Sequence, residues 1–359
     1  MVGTLRFATL PFEARLPPNN QNKSTGEKLP MNRRELLKAA AALPLAQTAL
    51  SNAAFAQSPY PSRNITMIVP FPPGGQADLA ARPIAQALER ILGKPVIVDN
   101  RAGGGGGSVG NAAAARAEPD GHTLLMTLSS LAVLPEADRL FDRPVAYEVS
   151  QFAPIARVLA DPTLLAVPAS APWKTLQEFV DDAKKRPGQI PYGSSGPYGT
   201  LHVAMEMFAA SAGIKLLHVP FRGAGPALTA LLSGTVQAMA SAPGTLKQQV
   251  DDGKMRVLAN WGAERVKSFP DLPTFRELGY RDVEFYIWAG LFAQVALPAP
   301  IMTQLREAMA QAVKAPEVVK TFETAGSPVA YQDAPEFAKF VAEDSARLVA
   351  AVKKIGKVE

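Results

Sequence analysis

The chain contains no cysteine and only three histidines among its 359 residues. The absence of thiols excludes thiolate nucleophiles, zinc–thiolate sites, iron–sulfur clusters, disulfides and a lipid-acceptor cysteine. His122, His202 and His218 do not show the HxH or HExxH spacing of metal sites, so we expect no dedicated metal site and no cofactor.

Long apolar runs and a strong charge of one sign are lacking as well. No stretch approaches about 20 uninterrupted apolar residues, so we expect no membrane span in the body of the chain. Residues 1–56 hold seven Lys/Arg and three acidic residues, which leaves 30 basic and 29 acidic residues out of the total of 37 and 32. The net charge of +5 therefore resides largely in the N-terminal segment, and we expect no nucleic-acid partner.

The segment 31–56 is typical of an export signal. A basic stretch with the pair Arg33-Arg34 precedes an Ala-rich apolar stretch and the small-x-small sequence at 54–56. The alternative is a short amphipathic helix. The paired arginines favour a twin-arginine signal, and we predict cleavage near Ala56/Gln57 and delivery to the periplasm. Residues 1–30 precede this signal, and we interpret them as a non-native upstream extension.

The remaining sequence alternates short β-branched runs with helical patterns of 10–15 residues. This alternation predicts an α/β fold with mostly parallel sheets flanked by helices, and the length suggests two domains. Strands are predicted at 64–69, 95–99, 122–127, 164–167, 190–193, 216–219, 236–240 and 255–259, and a long apolar run follows at 285–292. Helices are predicted at 78–92, 108–117, 175–185, 226–232, 299–314, 316–325 and 335–354, and from the loop at 194–196 through Phe208.

Two glycine-bearing corners between a strand and a helix are the candidate binding elements. In the first, residues 69–82, prolines and the pair Gly74-Gly75 lead from a strand to a helix whose free amides suit a carboxylate. The second, residues 192–202, places small hydroxyl side chains beside glycines. An ordinary tight turn is the alternative for the first corner. In the second, a Ser195–His202 catalytic pair is conceivable, but no acid is implied by spacing, and we favour a structural or ligand-orienting His202.

Three further patterns are less specific. Residues 105–110 formally satisfy GxGxxG, but the next strand ends at Ser129 without the acid of a dinucleotide site, so we favour a flexible loop before a helix. Arg222 has the planar fork that suits a carboxylate, although anchoring of its own loop is the favoured alternative. The aromatic run at 285–292 is assigned mainly to the core, with one or two side chains lining a cleft.

Taken in order, these segments resemble the Bug-type extracytoplasmic receptors of tripartite tricarboxylate transporters. The family sequence VPFxxGGxxDxxAR is matched at 69–82 and GSSGxGxxxH at 193–202. The other matches, in chain order, are the glycine-rich loop at 99–106, APDGxTLL at 118–125, HVPYKGxxPALTxLLGGxV at 218–236, LPDVPTxxExG at 269–279 and WxGLFAPxxTP at 288–298.

The resemblance implies a two-lobed periplasmic binding protein with the ligand between the lobes. It implies lobe I at 57–165 and 286–359 and lobe II at 166–285. The carboxylate would lie on the loops 71–78 and 194–200, held largely by backbone amides and hydroxyls. The predicted ligand-binding residues are Phe71, Pro73, Gly74, Gly75, Asp78, Ser129, Ser194, Ser195, Gly196, Thr200, His202, Arg222 and Ser241.

Departures from the family sequence bear on the ligand. Ala240-Ser241 replaces the usual Phe-Asp, and Asn260-Trp261 ends a strand that usually reads ALAVT. The loss of the acid and the added indole favour a less polar, even aromatic, carboxylate.

The resemblance implies a monomeric receptor that closes on its ligand and presents it to membrane transporter subunits, not an enzyme. A sensor that presents the closed form to a signalling kinase is the alternative. A periplasmic enzyme on the same scaffold is the less favoured one.

Overall fold

The computed structural model describes residues 60–358. The predicted upstream extension, export signal and cleavage site lie outside these residues. Within the described part of the chain, none of the helices combines the length and apolarity needed to cross a membrane.

Strands and helices alternate along most of this range. The strands are β1 (Ile65–Val69), β2 (Val96–Asn100), β3 (Thr123–Leu128), β4 (Phe152–Pro162), β5 (Leu164–Pro168), β6 (Pro191–Ser194), β7 (Leu217–Pro220), β8 (Ala238–Ser241), β9 (Met255–Asn260), β10 (Tyr286–Gln294) and β11 (Gln332–Asp333). The helices are α1 (Gln76–Leu92), α2 (Ser108–Ala115), α3 (Ser130–Leu140), α4 (Leu176–Lys185), α5 (Thr200–Ala212), α6 (Ala224–Leu232), α7 (Pro243–Asp251), α8 (Ala299–Ala312), α9 (Pro316–Ala325) and α10 (Ala334–Ile355).

The strands form two sheets, one in each lobe. The first has the order β11-β4-β10-β3-β1-β2 and the second β7-β6-β8-β5-β9. In the first sheet β1 runs parallel to β2 and β3, and in the second β6 runs parallel to β7 and β8. These parallel pairs are the βαβ units that the sequence alternation predicts.

Two chain crossings join the lobes and make both sheets mixed. Thr163 alone separates β4 in the first sheet from β5 in the second, and the chain returns between β9 and β10. The crossing strands pair antiparallel, β10 with β3 and β4, and β5 with β8 and β9, because they arrive from the other lobe without a helical crossover. The two-lobed α/β fold is confirmed, and the lobe bounds stay a prediction.

The crossing segments are hydrogen-bonded to one another. The amide of Trp261 donates to the carbonyl of Thr163 at 2.8 Å, and the amide of Phe285 donates to the carbonyl of Trp261 at 3.0 Å. The amide of Thr163 in turn donates to the carbonyl of Phe285 at 3.2 Å. This short ladder therefore ties the two chain crossings to each other.

Candidate functional site

The first corner is held by the carboxylate of Asp78. Gly74 has a φ of +84°, in the left-handed region that favours glycine, and its amide donates to Asp78 at 3.1 Å. Arg82 donates two hydrogen bonds to the same carboxylate at 2.9 and 2.8 Å, and Asn100 adds one at 3.0 Å. Burial alone would raise the pKa of Asp78, but these hydrogen bonds outweigh it and hold that pKa below its ordinary value. Asp78 therefore stabilises the turn, and its carboxylate is occupied by these hydrogen bonds.

The second corner is held by two stacked histidines. The hydroxyl of Ser194 lies 2.6 Å from Nε2 of His218 and accepts from the amide of Gly196 at 3.1 Å. His202 accepts from the amide of Tyr198 through Nδ1 at 2.9 Å, and its ring lies 4.0 Å from that of His218. Burial lowers the pKa of His202 to about 3 and that of His218 to about 4, so both rings are neutral.

This arrangement does not form a catalytic triad. Within residues 60–358 no carboxylate hydrogen-bonds either ring, and Ser195 is not bonded to His202. His202 supports the second corner through the amide of Tyr198, and a structural or ligand-orienting role for it stays a prediction.

The two corners face each other across a small cavity between the lobes. Its volume is about 20 Å³, room for about one water molecule, so the cleft is closed. The first lobe contributes the start of α1, the end of β3 and one residue of β10, and the second lobe contributes the starts of α5 and α6 and the end of β8. The lining residues are Phe71, Gly75, Gln76, Ala77, Leu128, Ser195, Thr200, Leu201, Ala224, Ser241 and Ile287.

Three helices begin at this cavity. The first-turn amides of α1, α5 and α6 have no intrahelical acceptor, and no side chain among residues 60–358 caps the N-terminus of any of these helices. Gly75, Thr200 and Ala224 mark these three starts on the cavity wall. Unpaired amides and the positive ends of helix dipoles together suit an anion without any cationic side chain.

Close backbone contact seals the mouth of the cleft. Gly196 has a φ of +113°, and a Cβ there would lie 3.0 Å from both the Cα of Gly105 and the amide nitrogen of Gly106. A Cβ at Gly223 would lie 2.6 Å from Cδ of Pro72. The glycine-rich loop, which the sequence suggested to be flexible, is a packed contact in the closed form, with Gly106 and Gly107 buried.

The predicted binding residues divide into three groups. Five line the cavity: Phe71, Gly75, Ser195, Thr200 and Ser241. Ser129 lies behind them, with its hydroxyl 3.4 Å from that of Thr200. The structure does not place the others on the cavity wall: Pro73, Gly74 and Arg222 are exposed, and Asp78, Ser194, Gly196 and His202 support the corners.

The sequence analysis missed six lining residues. Gln76 and Ala77 stand between Gly75 and Asp78, so the motif itself could have indicated them. The aromatic run contributes Ile287 to the cavity and none of its rings. The sequence does not mark Leu128, Leu201 and Ala224 as lining residues. They line the cavity because of where their strand or helix begins or ends.

Trp261, the added indole, is not on the wall of this cavity. Its ring packs on Phe275 at 4.3 Å and on Phe208 at 6.1 Å within the second lobe. It borders a separate, open groove of about 1000 Å³ beside α10. The step that ends β9 therefore turns the indole away from the ligand cavity.

Tyr198 ties the second corner to the C-terminal tail. It has a φ of +53°, uncommon for a residue with a side chain. Its hydroxyl donates to the carbonyl of Gly356 at 2.6 Å and accepts from the amide of Val358 at 2.8 Å. Its ring lies edge-on to Phe141 of the first lobe at 5.5 Å. The tail after α10 thus holds a loop that lines the cleft.

Removal of this hydroxyl should loosen the tail. We expect Tyr198→Phe to lower the free energy of unfolding by about 1 kcal/mol and to speed hydrogen exchange at the amide of Val358, which loses its acceptor. Tyr280→Phe is the matched control, since that hydroxyl makes no hydrogen bond within the described residues. Equal exchange at Val358 in both variants would contradict this role.

Comparison with known proteins places these features in one family. The model of the tripartite tricarboxylate transporter family receptor matches residues 80–357. The solved periplasmic binding protein BugD is 28% identical, with a TM-score of 0.77 over 83% of this chain and 99% of that one.

Two similar structures from R. palustris contain ligands. Rpa4515, solved with adipate, is 27% identical with a TM-score of 0.77, over 83% of this chain and 98% of that one. MatC, solved with bound malate, is 29% identical with a TM-score of 0.75, over 81% of this chain and 99% of that one.

Proposed function

Because this chain belongs to the tripartite tricarboxylate transporter receptor family, we propose that it is a periplasmic receptor that closes its lobes on a small carboxylate. It would then deliver that ligand to the membrane subunits of a transporter of this type. The twin-arginine signal with cleavage near Ala56/Gln57 supplies the route of export in this proposal.

One observation carries the proposal. Unpaired helix amides from both lobes meet at a single closed cavity that has no charged side chain on its wall. An anion placed there would be bound by both lobes at once, so binding would favour the closed form. The cavity must expand on binding, since about 20 Å³ is smaller than any dicarboxylate.

An aliphatic dicarboxylate is the class we propose. Phe71, Leu128 and Ile287 give the cavity an apolar wall that suits methylene groups. Rpa4515 and MatC, which share the fold at similar identity, hold adipate and malate. The aromatic alternative rested on the loss of the acid at Ser241 and on Trp261, and the indole of Trp261 borders another groove.

Calorimetric titration of residues 57–359 tests this function. We expect adipate or malate to bind and adipamide, which has the same chain without charge, to fail. Benzoate tests the aromatic alternative. Absence of binding by every acid would refute the carboxylate receptor.

Ser241 offers a test of ligand charge. Its side chain lines the cavity and is 1% exposed. We expect Ser241→Asp to weaken dicarboxylate binding at least about tenfold, because two like charges at close range repel in a site shielded from water. Ser233→Asp adds the same charge on the exposed end of α6 and should leave the affinity unchanged. Equal affinities of the two variants in titration calorimetry would place the ligand elsewhere.

A further inference from the structure

A chain of buried hydrogen bonds leads from the cavity wall through the crossing strand to the other lobe. Gln76 lines the cavity, is 3% exposed, and donates through Nε2 to the carboxylate of Asp161 in β4. The side chain of Ser327 lies beside this carboxylate and lowers the pKa of Asp161. It also accepts from the amide of Gly244, in the first turn of α7, at 3.0 Å. These four residues lead from the cavity wall to both lobes.

The chain leaves one polar atom without a partner. Oε1 of Gln76 is buried and makes no hydrogen bond with any described residue. A buried acceptor that stays unpaired costs free energy, typically about 1–3 kcal/mol. A carboxylate only accepts hydrogen bonds, so the unpaired Oε1 would repel a second ligand carboxylate, and Nε2 already donates to Asp161.

We propose that Gln76 receives the second carboxylate of a dicarboxylate ligand and that Asp161 is the positioning residue, taking up one proton when the ligand binds. This assignment rests on the proposed function and deepens it. The protonated carboxyl donates its O–H to Oε1 of Gln76, and the amide turns so that Nε2 donates to the ligand. The proton comes from solvent, and no other bond forms or breaks.

The surroundings of Asp161 allow this uptake. Burial, opposed by the hydrogen bonds from Ser327 and Gln76, raises the pKa of Asp161 to about 7. Asp161 forms no ion pair within residues 60–358. Charged or titratable groups on the elements around it are each engaged with another group: Asp78 with Arg82 on α1, Arg157 of β4 with the Ala330 carbonyl, Tyr286 of β10 with the Ala263 amide, Lys247 with Asp251 on α7, Arg306 of α8 with Asp333 of β11, and Asp344 with Arg347 on α10.

Titration calorimetry with two matched ligands separates the roles. Adipate and hexanoate have equal chain lengths, and hexanoate lacks the second carboxylate. For the wild-type protein we expect adipate affinity to fall about tenfold per pH unit above about pH 7, with uptake of about one proton. Hexanoate should bind without proton uptake and without this slope.

Two variants complete the test. Asp161→Asn supplies a permanent N–H donor to Gln76 and should bind adipate with a flat pH profile and no proton uptake. Ser327→Ala removes a hydrogen bond that lowers the pKa of Asp161, so its profile should move to higher pH. Since the two changes act in different directions on one profile, general damage to the fold cannot imitate both.

The same titrations distinguish failure of this inference from failure of the proposed receptor function. If adipate binds and the wild-type and Asp161→Asn proteins show the same pH slope, Gln76 and Asp161 have no such role and the receptor function stands. If neither acid binds the wild-type protein, the proposed function and this inference fall together.

Discussion

Gly196→Ala is expected to bind a dicarboxylate about 10- to 100-fold more weakly than the wild-type protein. Its added Cβ would lie 3.0 Å from backbone atoms of Gly105 and Gly106, which belong to the opposite lobe. Backbone atoms cannot rotate aside as a flexible side chain can. The clash exists only in the closed form, so it should shift the equilibrium between open and closed lobes.

Gly188→Ala is the matched control for this effect. Gly188 has a φ of +73°, and a Cβ there would meet no atom within 4 Å. Both variants strain the backbone and should lose stability, but only Gly196→Ala should lose affinity. Small-angle scattering should show the Gly196→Ala protein more open than the control. Equal affinities in the two variants would mean that the contact between the lobes does not limit binding.

Asp161→Asn should raise the free energy of unfolding at pH 8 by up to about 4 kcal/mol. The reason is the burial that raises the pKa of Asp161 from 3.8 to about 7 in the folded protein. Between these values the folded chain binds a proton that the unfolded chain releases. The free energy of unfolding is therefore highest below pH 3.8, declines as the pH rises toward 7, and stays low above pH 7.

Chemical denaturation from acid to alkaline pH measures this decline. The wild-type protein should lose stability across the window, and Asp161→Asn should show a flatter profile. Asp271→Asn removes an exposed carboxylate and should follow the wild-type curve. A parallel decline in Asp161→Asn and the wild-type protein would show that Asp161 is not the group responsible.

The elements that sequence could predict carry local signals. Helix α4 begins after Thr175, whose hydroxyl accepts from the amide of Glu178 at 3.2 Å, while the Glu178 carboxylate accepts from the amide of Thr175. This capping box can be recognised in the sequence from two residues that are three positions apart. The two corners were found the same way, because glycines after a strand indicate a turn into a helix.

The elements that sequence analysis missed depend on distant contacts. Strand β4 contains prolines at both ends and is stabilised by pairing with β10, more than a hundred residues away. Helix α3 holds Pro135 in its interior and lacks a side-chain cap, so its start carries no local signal. Each is specified by packing partners that a short window of sequence does not contain.

The same limit explains the errors at the site. Gln76 is a candidate site residue because its side chain donates a hydrogen bond to Asp161, 85 positions later in the chain. Trp261 directly follows β9, and its ring packs on Phe275 within the second lobe. A position along the chain can be inferred from a motif, whereas the direction of a side chain follows from the fold around it.

The most direct test of this account is a crystal structure of residues 57–359 with adipate. We predict one carboxylate within hydrogen-bond distance of the first-turn amides of α1 and of the Thr200 hydroxyl, with the other beside Gln76 and both lobes in contact with the ligand. Adipate bound in the groove beside Trp261, or held by one lobe alone, would contradict it.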